Sequence, residues 1–391
     1  MLAARMNRLG TETAFMVLAR AKALEAQGRE VIHMEIGEPD FPTPSHIIQA
    51  AYQAMLEGYT HYTPSAGLME VREAIAKDAR RRLGIPVTAD QVVVTPGAKP
   101  VIFYTLMALV GPGDEVIYPD PGFPIYASLI SFCGAQPVPL RLDPARGFHP
   151  DLEEVERSLS PRTRLLLLNS PHNPTGAVLS REELEAVASL LQRWEQVYVL
   201  SDEVYRAILY NGQHHSIASL PGMAERTIVV DGLSKTYAMT GWRLGWGIFP
   251  RELVEPVVRL VVNSVSCAPA FVQKAALAAL EGPQEWVQAM VAEFRARRDL
   301  LVQGLRSLPG VACPLPEGAF YAFPDIRGTG LTSQEMERRA LALEEAGVAL
   351  LAGTAFGQYG EGCVRLSYAT SRENIVRGLE RLEALLRRAR P

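Results

Sequence analysis

The sequence predicts an α/β protein: a mostly parallel, seven-stranded sheet sandwiched by helices, joined to a smaller α+β domain. Three observations carry this. Between Gln91 and about Gly247, seven short β-branched or apolar runs each end in a turn, and helical patterns lie between several of them. The runs are near-continuously apolar, which suits strands buried on both faces of a parallel sheet. After about residue 280 the texture changes to a long charged helix followed by isolated strand patterns. A chain of 391 residues is also too long for one ordinary core, so two domains are expected. We place the large domain at residues 46–280 and the small one at 1–45 and 281–391, with an N-terminal arm.

The elements follow in order. Ala14, Val17, Leu18, Ala21 and Leu24 recur at helical spacing over Thr13–Gln27, and Gly28 stops the helix. Gly37-Glu38-Pro39-Asp40-Phe41-Pro42 is a loop, since its prolines and glycine break regular structure. Ser45 opens a helix ending near Gly58. The seven strand runs are Val92–Thr95, Glu115–Tyr118, Gln136–Leu140, Arg164–Leu168, Val197–Leu200, Thr227–Val230 and Arg243–Ile248. The apolar stretch Val101–Val110 and residues 181–193 read as helices between them. Beyond Gln284–Leu308, a long helix, strands are expected near Gly318–Pro324 and Cys363–Tyr368, with capping boxes at Thr332/Glu335 and Thr370/Glu373.

Composition excludes several classes of function. The formal net charge of -4 does not favour nucleic acid or anionic lipid as a partner. No apolar run reaches the ~18 residues of a membrane span, and Met1–Gly10 lacks the apolar stretch of a signal peptide. Cys133, Cys267, Cys313 and Cys363 form no CxxC pair, and the seven histidines show no HExxH spacing, so no metal site is expected. Reduced, mostly buried thiols fit a cytoplasmic protein.

Chemistry concentrates in five segments. Gly232-Leu233-Ser234-Lys235-Thr236 follows a strand, and Arg243 lies eight residues beyond Lys235. A lysine in a small-residue turn approaches a flat ring closely, and a nearby arginine grips phosphate with its planar guanidinium. Taken alone, either residue reads better as a surface ion pair. Asn169-Ser170-Pro171-His172-Asn173-Pro174-Thr175-Gly176 stands just past a strand, at the edge where open α/β sheets bind ligands. Asp202 and Tyr205 follow the strand Val197–Leu200; a carboxylate there needs a partner such as a protonated ring nitrogen, or else caps a helix. Gly97-Ala98-Lys99 opens a helix, so the N–H groups of Ala98 and Lys99 are candidate phosphate donors, with Phe123 either stacked on a ring or in the core. Arg365 lies on an alternating strand, a position more often a solvated face.

Together these motifs resemble, in order and over nearly the whole chain, the class I/II pyridoxal-phosphate-dependent aminotransferases, the aspartate aminotransferase-like fold type I enzymes. The resemblance implies pyridoxal 5′-phosphate as cofactor and Lys235 as its Schiff-base lysine. It implies that Asp202 pairs with the ring nitrogen, and that Tyr205 and Asn173 reach the 3′-oxygen. Ala98, Lys99, Ser234 and Arg243 are expected at the phosphate, and Phe123 on the ring. Substrate would be held by Gly37, Asn173 and Arg365, the last clamping the α-carboxylate. The family is dimeric, and Tyr62 resembles the tyrosine that crosses to the neighbouring subunit's phosphate. Many relatives carry serine or threonine where Gly232 stands, which leaves Ser234 as the candidate hydroxyl.

The implied activity is ping-pong transfer of an amino group from an L-amino acid to a 2-oxo acid. Side-chain preference is open. Lys99 matches a lysine that holds a distal carboxylate in some relatives, whereas Phe15, Met16, Val265 and Cys267 fall in pocket-lining segments and are mostly apolar. The balance favours an aspartate aminotransferase-like or broad enzyme. A C–S β-lyase on the same scaffold shares the cofactor residues. A non-catalytic sensor domain is disfavoured by the intact Lys235, Asp202 and Arg365.

Overall fold

The computed structural model describes residues 2–342 and 346–389. Its strands are β1 (Ile32–His33), β2 (Val92–Thr95), β3 (Glu115–Asp120), β4 (Gln136–Arg141), β5 (Thr163–Asn169), β6 (Tyr198–Asp202), β7 (Thr227–Gly232), β8 (Gly245–Ile248), β9 (Tyr321–Ala322), β10 (Val348–Ala349), β11 (Leu351–Ala352) and β12 (Val364–Ser367). Its α-helices are α1 (Thr13–Glu25), α2 (Ser45–Leu56), α3 (Met69–Leu83), α4 (Lys99–Leu109), α5 (Ile125–Cys133), α6 (Leu152–Ser158) and α7 (Arg181–Leu191), then α8 (Leu233–Thr236), α9 (Arg251–Val262), α10 (Ala270–Glu281), α11 (Glu285–Ser307), α12 (Ser333–Leu341) and α13 (Arg372–Ala389).

β2 to β8 form one seven-stranded sheet in the order β2-β8-β7-β6-β5-β3-β4. All pairings are parallel except those of β8, which runs against both neighbours. Alternate residues of one strand face opposite sides. Leu165 and Leu167 of β5 and Val230 of β7 join a core with Ile102, Tyr126 and Val257 of α4, α5 and α9. Leu166 and Leu168 turn to the other face and pack on Leu184 and Val187 of α7. Val229 turns with them, toward Ile75 of α3 and Val272 of α10. Both faces are therefore dry, which is why the strand runs read as continuous rather than alternating. Each such side chain contributes ~1.5–3 kcal/mol of burial, so the sheet is a rigid platform for whatever stands at its edge.

Several boundaries differ from expectation by one or more residues, and two of them have a visible cause. β8 starts at Gly245, not Arg243, because Arg243 takes a left-handed φ of 58° that cannot continue a ladder. Thr332 and Glu335 form their capping box, but the last helix is capped by Ser371 instead of Thr370. Ser371 Oγ accepts the N–H of Asn374 at 3.1 Å, the three-residue reach a cap needs, and Thr370 is left to bond the Asn374 side-chain amide at 3.1 Å.

A second set of strands builds a smaller sheet. β11, β12 and β9 pair antiparallel, and β1 pairs parallel with β10, so the N-terminal segment is tied to residues more than 300 positions on. Met34, Phe294, Leu301, Phe320, Leu366 and Leu382 share one core there, under α11 and α13. Among the described residues no helix is long and apolar enough to cross a membrane, and no cluster of His, Cys, Asp and Glu is placed to hold a metal. All four cysteines are free thiols; Cys313 and Cys363 are buried, Cys133 and Cys267 partly so.

Candidate active site

The carboxyl ends of β5, β6 and β7 point to one edge of the large sheet, where strands leave their backbone groups for loops. β12 of the smaller sheet faces this edge. Between them lies a cavity of about 350 Å³ lined by Lys235, Asp202, Asn173, Tyr205, Arg243 and Arg365. Ala98, Lys99, Phe123, Ser234 and Gly37 line it as well. The fold thus gathers eleven of the twelve positions singled out in the sequence, all but Tyr62.

Lys235 sits on α8, a single turn after β7. Its ammonium donates to the Gly37 carbonyl at 2.5 Å and makes no ion pair with any carboxylate among the described residues. Burial draws its pKa down to about 8; Glu38 opposes this, and the positive charges of Arg365 and Lys99 add to it. Gly37 is required by its neighbour: a Cβ there would stand 2.1 Å from the Tyr321 hydroxyl oxygen. Tyr321 fills the space where a Gly37 side chain would stand, and the Gly37 carbonyl accepts from Lys235.

Asp202 ends β6 in register with Asn169 of β5. Its carboxylate accepts from the Tyr126 hydroxyl at 2.7 Å and from the Val204 N–H at 3.3 Å. No helix follows, so it is not a helix cap. Burial raises its pKa to about 6, against the two hydrogen bonds, and the nearby Asp231 and Glu203 push the same way as burial. Tyr126 was missed in the sequence. The available signal was its place one helical turn after Phe123, whose ring meets it edge-on at 5.7 Å.

A second end of the cavity is built for an anion. α4 begins at Lys99, so the first N–H groups there have no carbonyl one turn back to bond. Gly97 has φ +90°, and a Cβ on it would lie 2.4 Å from an Nη of Arg243, so only glycine lets the guanidinium lie against this turn. Arg243 donates to the Thr240 carbonyl at 2.8 Å and has no carboxylate partner among the described residues. Ser234 stands beside Lys235 on α8.

Arg365 contradicts the solvated-face reading, being 4% exposed. It donates to Asn173 Oδ1 at 3.0 Å and to the Glu35 carbonyl at 2.6 Å, and lies 4.5 Å over the Tyr321 ring and 4.7 Å over the Phe356 ring. Its Nε has no partner. Among the described residues this buried guanidinium bonds only neutral acceptors and has no carboxylate within ion-pair distance. Asn173 is held in turn by its own N–H to Asn169 Oδ1 at 2.9 Å. Tyr205 and Tyr321 share a hydroxyl–hydroxyl hydrogen bond of 2.7 Å, and burial lifts both pKa values. Tyr321, Phe356 and Asn169 carried no signal beyond lying in a strand pattern, a glycine-rich stretch and a motif's first position.

Some expected residues stay apart. Tyr62 is 88% exposed and does not line this chain's cavity. Of the apolar candidates only Phe15 lines it; Met16, Val265 and Cys267 do not. Lys99 lines it too, but its ammonium is engaged by Glu12 and lies 5.3 Å from the centre of the Phe123 ring.

The chain is similar to known proteins over nearly its whole length. Residues 29–382 match the family model described as aminotransferase class I and II. The arginine–pyruvate transaminase of Pseudomonas aeruginosa is 42% identical over 93% of this chain and 92% of its own length. The aspartate/prephenate aminotransferase of Thermus thermophilus is 40% identical over 99% of each. Among solved structures, the aspartate aminotransferase from Rhizobium meliloti superposes with a TM-score of 0.95 at 37% identity, covering 99% of both chains. The chain belongs to the class I and II aminotransferases, which are pyridoxal-phosphate-dependent enzymes moving an amino group from an amino acid to a 2-oxo acid.

Proposed function

We propose that this aminotransferase works by a ping-pong exchange on Lys235, with aspartate-like or broad side-chain preference, as a cytoplasmic homodimer. The observation that carries the reading is an amine with a lowered pKa that pairs with no carboxylate among the described residues, in the same cavity as a buried arginine that bonds only neutral acceptors there.

The donor set fits the cofactor. Asp202, bonded by Tyr126, is the partner for a protonated ring nitrogen; such an ion pair would offset the burial that now raises its pKa. The Ala98 and Lys99 N–H groups, Ser234 and Arg243 would hold its phosphate, Phe123 would support its ring, and Tyr205 and Asn173 would bond its phenolic oxygen. When bound, pyridoxal phosphate supplies an aldehyde for the amine and an electron-accepting ring that acidifies the substrate's α-hydrogen.

The remaining work falls to the chain. Arg365 holds the α-carboxylate with its planar guanidinium, and Asn173 fixes that guanidinium in place. Lys235, neutral in a useful fraction because its surroundings are dry and positive, takes the proton from the substrate α-carbon and later returns it. Tyr321 occupies the space beside Gly37. Tyr62 contributes to the site of a second copy. Exposed Phe15, Met16, Tyr52 and Val265 are apolar surface for that contact, and four free thiols suit a reducing compartment. Residues 46–280 act as the cofactor-binding domain, and 281–391 with 1–45 as the domain that brings Arg365.

One experiment tests this directly. The holoenzyme is mixed with a panel of single amino acids, and the change from the aldehyde to the amine form of the cofactor is followed by absorbance. Conversion by aspartate or glutamate is expected. No conversion by any amino acid, or no label on the Lys235 peptide after borohydride reduction, would overturn the reading.

A further inference from the structure

An ion pair at the mouth of the cavity is left unexplained by the chemistry above. Glu12 stands at the N-cap of α1, where a carboxylate ordinarily bonds the first helical N–H groups, yet its side chain makes no capping bond. It reaches instead to the ammonium of Lys99, 87 residues away. Lys99 opens α4, and a cation at a helix N-terminus is disfavoured by the helix dipole, so it needs an anion. Both residues line the cavity, and the charge of Glu12 is felt at Arg365, Tyr321 and Lys235.

The cavity thus holds two cations suited to carboxylates. Arg365 has no carboxylate among the described residues; Lys99 has one, and it belongs to the protein. We infer that Glu12 is a specificity-determining residue, an internal stand-in for the distal carboxylate of a dicarboxylic substrate. It neutralises Lys99 while the bound side chain is uncharged, and yields Lys99 when a dicarboxylic amino or oxo acid enters. The inference rests on the amino-transfer reading, in which one cavity receives two different side chains in alternation. An exchangeable anion meets that need: an apolar side chain finds a neutral pair, and a carboxylate finds an ammonium. The lysine and glutamate side chains are 46% and 20% exposed, and pairs of this exposure shift an equilibrium only about 1.5- to 5-fold, so displacement is feasible.

The test uses unreactive ligands on the holoenzyme: succinate, and 3-phenylpropionate as the apolar monocarboxylate, with binding measured by calorimetry. Glu12→Gln is expected to tighten succinate about 2- to 5-fold relative to 3-phenylpropionate. Glu12→Ala should give the same direction, which separates loss of the charge from a local packing defect. Lys99→Met should weaken succinate, and in that background Glu12→Gln should no longer change the ratio. Equal shifts for both ligands, or a succinate affinity that falls or stays fixed in both Glu12 variants, would overturn the inference. Cofactor bound at the wild-type stoichiometry in each variant certifies the folded site. An amino-acid panel that leaves the cofactor unconverted would refute the amino-transfer reading instead, and the succinate ratio would still judge Glu12.

Discussion

The floor of the cavity and its mouth are built on opposite terms. On the floor, Asp202, Tyr126, Asn173 and Arg365 are all buried, and each is held by the others or by backbone groups. At the mouth, Phe15 is 60% exposed and the Glu12–Lys99 pair is open to solvent. A buried polar group without a partner costs several times what an exposed one does, so the floor has few tolerable arrangements and the mouth has many. Chemistry that every substrate shares belongs where geometry is over-determined, and side-chain discrimination where neighbours still exchange.

The comparison is broken or sharpened by substitutions taken from the floor outward. Lys235→Ala should reduce turnover by at least about 10²–10⁴-fold, the range for positioned acid–base catalysis, and should abolish borohydride labelling. Retention of the wild-type rate would remove the floor's central element. The same amine sets a pH dependence. Burial lowers its pKa to about 8, and only the neutral amine attacks an aldehyde, so the rate of cofactor uptake by the apoenzyme should rise with pH to half its plateau near pH 8. A half-point near the ordinary lysine value would show that the site is wetter than described.

Asp202→Asn comes next. It removes the carboxylate that Tyr126 bonds, and a fall in kcat on the order of 10²-fold is expected, the usual cost of losing one electrostatic partner of the reacting group. Arg365→Lys keeps the charge but loses the planar guanidinium. Charged hydrogen bonds are worth about 1.5–3 kcal/mol, so KM should rise about 10- to 100-fold across all amino acids alike, measured in the half-reaction. A rise confined to dicarboxylates would place Arg365 at the side chain rather than the α-carboxylate. Tyr126→Phe is the mildest floor change. Its hydroxyl favours the ionised Asp202, so its loss should push that carboxyl above its present value of about 6 and move the acid limb of the kcat profile to higher pH. An unmoved acid limb would detach Tyr126 from the chemistry.

Much of the floor was legible because its groups stand at the ends of strands or in short turns. Asp202 closes an apolar run, Lys235 follows another within three residues, and Ala98 opens a helix; local pattern locates each of them. Arg365 was legible only by resemblance, since an arginine on an alternating strand says nothing of what faces it. What escaped were contacts that join distant segments. Tyr126 meets Asp202 across 76 residues, Tyr205 meets Tyr321 across 116, and Glu12 meets Lys99 across 87. Ser371 took the cap expected of Thr370 because one residue decided where the last helix began, and no periodicity resolves that.

The chain alone determined the element types, the doubly covered sheet and where the candidate polar groups fall along it, because burial pattern and turn chemistry act over a few neighbouring residues. Tertiary structure decided which hydroxyl bonds Asp202, what fills the space beside Gly37, and that Lys99 already has a carboxylate. Those outcomes depend on how loops from separate strands converge on one sheet edge and how close their side chains come, and neither is fixed by spacing along the chain.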